Sequence, residues 1–395
     1  MSPTSYPQAS QKRFAPAEDY LFVNNVRFLA MAAVVMVHSL NLDKFLQLTG
    51  QPSLVCHLIV EFLKFGTIAF FLVSGFLAGE KLEQSKPVEY MKRRLKYVFL
   101  PWLVWLAVGC LTLAGRNVQG KKVDAGLLIH LILSLPSYLN LVIFHSLFWF
   151  VPNLLFGLCI LLLCRRFLPD AVTGSILLAC SLFYGINIYA QWIPSEYTQA
   201  LGAFVFYLWL GTWAAWHYGA IQAWLTRIAI GWFLGLAFIT FLAVAAESRL
   251  IHSLRIFDDT NSVSITNQIY SVAFVLLILK FNRVLSPKFI RVRATTFGIY
   301  LTHSTILNFL AIVCKRYIPH LRSQGFWPGE LWNLAVSAVL FAIAYSGALL
   351  LAEFLGSRPG LRWMIGPGSP VQKLKEAPSA QSTPLPSGSG FLTEG

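Results

Sequence analysis

Ten runs of 17 to 25 largely apolar residues follow one another along this chain, at 22–42, 55–79, 97–114, 146–164, 172–191, 200–217, 228–246, 265–281, 294–313 and 331–354. Each is long enough to carry a helix across roughly 30 Å of hydrocarbon. Composition agrees, with 56% of residues hydrophobic and 12% charged, against roughly 25% charged in a soluble domain. The expected fold is all-α, a polytopic membrane protein built as a bundle of about ten transmembrane helices. The segment 125–143 is apolar too, but Pro136 and Asn140 interrupt it. It is expected to lie at the interface or to re-enter without crossing.

The net charge of +14 does not point to nucleic acid, because the basic residues fall between apolar runs and form no groove or aromatic-basic tract. With the N-terminus inside, twenty of the 31 Lys and Arg residues lie on the cytoplasmic side and nine on the other, with Arg27 and Lys64 in the membrane. The positive-inside rule then favours ten spans with both ends cytoplasmic. Residues 1–21 read as a cytoplasmic N-terminal segment, 22–355 as the membrane domain, and 366–395, rich in Pro, Ser and Gly, as a disordered cytoplasmic tail. The loops are too short for a folded module, so the bundle and its rims must do any chemistry. Six cysteines without a pairing pattern are expected as free thiols. Asp258 and Asp259 have no matching His or carboxylate at ligand spacing, and no metal site is expected.

Polar residues inside the apolar runs are the informative exceptions. A charge at mid-membrane costs roughly 2.5 to 3.5 kcal/mol, so Arg27 and His38 in the first run ask for a function or a buried pairing. Eleven residues at about 100° each amount to three turns plus about 20°, which puts both side chains on one helix face about 16 Å apart. One face thus holds a fixed cation and a titratable base. Glu61 and Lys64, three apart, read as a structural ion pair. Ser74 and Gly75 present a small surface where another backbone can come close. The cluster Arg93, Arg94 and Lys96, just before Pro101, has two readings: an anchor for anionic lipid headgroups, or a phosphate site. His145 with Trp149 reads as an interfacial aromatic belt. Tyr300 and His303 share a face of the ninth run, where a histidine is either hydrogen-bonded packing or part of a site.

Taken together, NNVRFLAMAAVVMVHS, FFLVSGFLAG, a basic cluster before a proline, LFWFVPNLL and FGIYLTHS, in that order, resemble the membrane-bound acyltransferase 3 family over about residues 20 to 355. The resemblance implies transfer of an acetyl, succinyl or similar acyl group from a cytoplasmic acyl-coenzyme A to a hydroxyl of a glycan or glycolipid. It places Arg27 and His38 on the family's paired positions, and makes Arg93, Arg94 and Lys96 candidates for donor binding. Ser74, Gly75, Trp149, Tyr300 and His303 become candidate pocket residues. Family members often have a more regular Arg-x-x-Arg before the proline, whereas this chain has Arg93-Arg94-Leu95-Lys96. No bound cofactor is expected, acyl-coenzyme A entering as co-substrate. The expected partners are that donor, the glycan acceptor and membrane lipids, in a bacterial inner membrane.

On this reading His38 is the general base, since imidazole can accept a hydroxyl proton near neutrality. Arg27 holds the donor's phosphates or assists the thioester. Direct transfer ranks above an acyl-enzyme on Ser39, Ser74 or Ser304, because no serine has an evident triad partner. The alternatives are a transporter or flippase of a glycolipid or small amphiphile, with Arg27, His38 and His303 along its path, and a scaffold whose polar residues only lock helices together. The absence of a repeat between the two halves weakens the transporter.

Overall fold

The computed structural model describes residues 20–46, 54–84, 86–118, 124–256, 260–281, 283–323 and 330–366. Of the expected terminal segments only Tyr20, Leu21 and Gly366 are among them, and the Asp258–Asp259 pair falls outside. The described residues form helices and no strands: α1 (Leu21–Leu46), α2 (Leu54–Leu63), α3 (Phe65–Gln84), α4 (Pro87–Arg94), α5 (Leu100–Val118), α6 (Ala125–Leu133), α7 (Leu135–Phe144), α8 (Phe150–Leu163), α9 (Ala171–Ala190), α10 (Val205–Trp216), α11 (Tyr218–Arg227), α12 (Ile230–Ser253), α13 (Ile265–Lys280), α14 (Val292–Ser323) and α15 (Glu330–Ser357).

Among the described residues seven helical stretches, not ten, are long and apolar enough to cross a bilayer: α1, α2 with α3, α4 with α5, α9, α12, α14 and α15. The expected spans at 146–164, 200–217 and 265–281 are instead α8, α10 and α13, of 14, 12 and 16 residues. At 1.5 Å per residue they rise only about 21, 18 and 24 Å. The first two runs are longer than their helices because part of each is spent on turns, residues 145–149 before α8, with Pro152 in its first turn, and 201–204 before α10, whereas the run 265–281 is itself only one residue longer than α13. α10 and most of α13 are packed inside the bundle, while α8 keeps an exposed stripe of Phe156, Cys159 and Leu163; α8 and α10 are apolar nearly all round. The segment 125–143 forms α6 and α7, nine and ten residues long and broken at Ser134 before Pro136. Neither is long enough to cross.

Two apolar clusters meet along α1. One gathers side chains of α1, α3, α8, α10, α12 and α13; the other gathers α1, α5, α7, α8, α14 and α15. The N-terminal end of α1 is clamped to the strand of chain leading into α14, since Asn25 Nδ2 donates to Arg283 O (2.8 Å) and Asn25 Oδ1 accepts from Leu285 N–H (3.0 Å). The start of α13 is held by buried Glu247, which accepts from the N–H groups of Ile265 (3.2 Å) and Thr266 (2.8 Å) and from the Tyr189 hydroxyl (2.7 Å). An anion is well placed at a helix N-terminus. No disulfide joins any of the six cysteines.

The closest helix pair is α3 with α10, which meet backbone to backbone. A Cβ at Gly75 would lie 2.0 Å from Leu208 O, and one at Gly211 would lie 2.0 Å from Leu72 O. Thr212 Oγ1 donates to Gly75 O (3.0 Å) and Trp216 Nε1 to Gly79 O (3.2 Å). Because the obstructing atoms are backbone, the clash cannot be relieved by a rotamer change. Overpacking ordinarily costs about 1 to 3 kcal/mol, and here the upper end or more is expected. Gly75→Val should therefore sharply reduce inserted protein and its thermal midpoint, while Gly235→Val on α12, where nothing lies within 4 Å, should leave both near wild type. Equal midpoints for the two variants would contradict this packing.

Candidate active site

A cavity of about 600 Å³ runs beside α1, walled by α2, α3, α4, α8 and α14. Arg27 and His38 both open into it, as do Ser74, Arg93, Arg94, Trp149 and Tyr300. Three of the candidate donor-binding and pocket residues do not line it. Gly75 is spent on the α10 contact, Lys96 is exposed with Nζ 5.5 Å from the Tyr97 ring, and His303 is buried behind His38. Lys64, Lys81 and Arg293 line it as well. Its described wall thus carries six cationic side chains and no acidic one.

The basic end is shaped by Pro101. Proline lacks an N–H and its ring excludes the carbonyl four residues earlier. The chain answers with a π turn over Leu95–Phe99, in which Leu100 N–H reaches back to Leu95 O. That wider turn separates Arg93 and Arg94, which end α4, from Lys96, which it carries outward. Arg94 is oriented by Tyr90, whose hydroxyl accepts from Nε (3.1 Å) and Nη2 (2.8 Å), and its guanidinium lies 5.0 Å over the same ring. Arg93 Nε donates to Glu89 O (3.4 Å). After α15 a short 3₁₀ turn returns the chain to this end, fixed by Trp105 Nε1 donating to Met364 O (3.0 Å). Gly366 then adopts φ +77° against the π turn, where a Cβ would lie 2.8 Å from Tyr97 O. Both its conformation and its space require glycine.

At the other end, the His38 and His303 rings lie 5.6 Å apart, inclined at 44°. His303 Nδ1 is 2.9 Å from Ile299 O. A carbonyl only accepts, so the proton sits on Nδ1 and Nε2 carries a lone pair. That Nε2 is buried and has no hydrogen-bond partner among the described residues. It is an acceptor waiting beside His38. Tyr300 donates its hydroxyl to Leu147 O (2.7 Å), which fixes the ring and removes the hydroxyl as an acid. Trp149 meets Tyr197 edge to face at 5.1 Å, and its carbonyl accepts from Asn153 Nδ2, which also reaches Thr198 O (both 3.2 Å). His145 stands apart, 42% exposed, with Nδ1 3.8 Å from Glu196.

Among the candidate nucleophiles, Ser39 is buried and gives its hydroxyl to Val35 O (2.8 Å), while Ser74 reaches the cavity. No cluster of three metal-ligating side chains occurs among the described residues. The arrangement can hold a long, multiply anionic molecule at one end and accept a proton at the other.

Residues 20–353 match a family model described as an acyltransferase domain, that of acyltransferase 3. No curated relative and no solved structure matches the chain.

Proposed function

The chain belongs to the acyltransferase 3 family, and from that premise we propose that this multi-pass membrane acyltransferase takes its acyl group from coenzyme A and gives it to a hydroxyl of a glycan or glycolipid. The observation that carries this reading is the polarity of the cavity, with five of its six cations away from His38, which lies about 16 Å along α1 from Arg27. Coenzyme A has the matching form, with several phosphate charges on a long arm that ends in the thioester. Arg93, Arg94, Lys81 and Arg293 receive the phosphates, Arg27 guides the arm, and the thioester comes to lie beside His38.

His38 accepts the proton of the acceptor hydroxyl as its oxygen attacks the thioester carbonyl carbon. The tetrahedral intermediate collapses, the carbon–sulfur bond breaks, and the proton passes from the imidazolium to the leaving thiolate. Alcohol and thioester become ester and thiol. The aromatic wall of Trp149 and Tyr197 suits the apolar face of a sugar ring at this end. The basic residues gathered around Arg93 and Arg94 support a cytoplasmic donor end, in a bacterial inner membrane. Mass spectrometry of cell-surface glycans, with and without this protein, should show an acyl ester that disappears with it. Unchanged glycans and unchanged glycolipids would overturn the reading.

His303 acts here as a positioning residue: its Nε2, unpaired in the structure and beside the His38 ring, takes a hydrogen bond from His38 as the substrates seat, leaving the other nitrogen of His38 free as base. His303→Leu should lower kcat about 10- to 10²-fold, the scale of a misplaced catalytic group. His303→Gln, whose amide oxygen can accept in the same place, should recover part of the loss. Equal kcat in the two variants would exclude the hydrogen-bonding role.

A further inference from the structure

The transfer just described leaves one charge without a partner, namely the oxyanion that forms on the carbonyl while His38 holds the acceptor's proton. Arg27 cannot serve it, being about 16 Å from His38 along α1. Arg293 is ten residues before His303 on α14, about 15 Å away, and Lys81 is seventeen residues beyond Lys64, about 25 Å along α3. Arg93 and Arg94 stand at the basic end with Tyr90. One cavity cation remains.

We infer that Lys64 is a catalytic residue whose ammonium stabilises the oxyanion of the transfer step. The position follows from packing. Phe76 meets Phe22 at a ring separation of 4.8 Å, so α3 runs antiparallel to α1. A Cβ on Gly66 would lie 3.0 Å from Ala30 O, 3.4 Å from the Ala33 Cβ and 3.5 Å from Val34 Cγ2. Lys64, two residues earlier, is therefore level with about Val34, one helical turn along α1 from His38, and both line the cavity.

The charge is held for use. Lys64 is 6% exposed and donates to both oxygens of Glu61, at 2.9 and 2.8 Å, which leaves at least one of its three N–H groups for another acceptor. Glu61 is fully buried, accepts from Ser248 Oγ (3.0 Å) and lies 3.7 Å from His57 Nε2, which in turn meets Ser248 Oγ at 2.9 Å. A buried ion pair is a weak source of stability, since apolar replacements of similar volume are often neutral or better. A preorganised cation at the reacting carbonyl does something that stability does not require.

This inference rests on the acyl-transfer reading, and the experiment separates the two. Membrane vesicles containing their native glycans are supplied with acetyl- or succinyl-coenzyme A labelled in the acyl group. Lys64→Met alone would strand the Glu61 carboxylate, so the test variant is Glu61→Gln with Lys64→Met, compared with Glu61→Gln alone, which keeps the ammonium. The double variant is expected to insert normally, keep its KM for the donor within about twofold, and lose about 10²- to 10³-fold in kcat, the usual effect of removing an oxyanion-hole donor. Glu61→Gln alone should retain most of the rate. Equal losses in the two variants, or a near wild-type kcat in the double variant, would overturn the role of Lys64 while wild-type transfer leaves the parent reading standing. A wild type that transfers no label sinks both.

Discussion

His38→Gln is expected to insert and fold like the wild type and to lose about 10² to 10⁴ in kcat, the range for removal of a general base. The amide keeps similar size and hydrogen-bonding capacity but accepts no proton near neutral pH. His38 lines the cavity and is only partly buried, so little packing is at stake. The wild-type rate should fall as pH drops through the titration of this histidine, because the neutral imidazole is the working form. The residual rate of His38→Gln should lack that acid limb. A histidine that only locks helices together predicts the reverse, a change in thermal midpoint with turnover per folded molecule kept.

Replacing Arg93 and Arg94 together with Gln should raise the KM for acyl-coenzyme A far more than the KM for the acceptor, since phosphate contacts contribute mainly binding. A hydrogen bond to a charged group is worth about 1.5 to 3 kcal/mol. Arg93 is exposed and screened by solvent, whereas Arg94 is half-buried and oriented by Tyr90. The combined increase is therefore expected near 10 to 10²-fold. Lys96→Gln should change the donor KM little, because the π turn carries Lys96 away from the cavity. An anchor for lipid headgroups predicts misinserted protein instead. Steady-state kinetics on the inserted fraction, varying each substrate in turn, distinguishes the outcomes.

Some of this was legible in the sequence because it was a local exception. An arginine and a histidine on one face of an apolar run stand out against their neighbours, and the structure places both on one cavity. Ser74-Gly75 likewise announced a close backbone approach, although only the fold could say that α10 makes it. The Glu61–Lys64 pair was also readable from its spacing. That reading accounted for both charges locally and left no reason to look further for the ammonium. Lys81, Arg293 and Gly366 carried no signal as cavity residues, since their convergence depends on how distant helices pack and on the turn after α15. Lys96 was grouped with Arg93 and Arg94 by proximity in sequence, which a change of helical period between them defeats. The span count failed for a related reason. Hydropathy measures where apolar residues are, but not where a helix can start, and Pro152 and the turn at 201–204 shorten α8 and α10 within runs that are apolar throughout.

The most direct test follows the acyl group itself. Purified protein, reconstituted in vesicles with an extract of surface glycolipids, is given coenzyme A thioesters labelled in the acyl carbon, and both the coenzyme and the glycan are analysed after one turnover. The account predicts free coenzyme A thiol and label in an oxygen ester on the glycan, in equal amounts, with both lost in His38→Gln. Movement of the glycolipid across the bilayer with every thioester intact would contradict it.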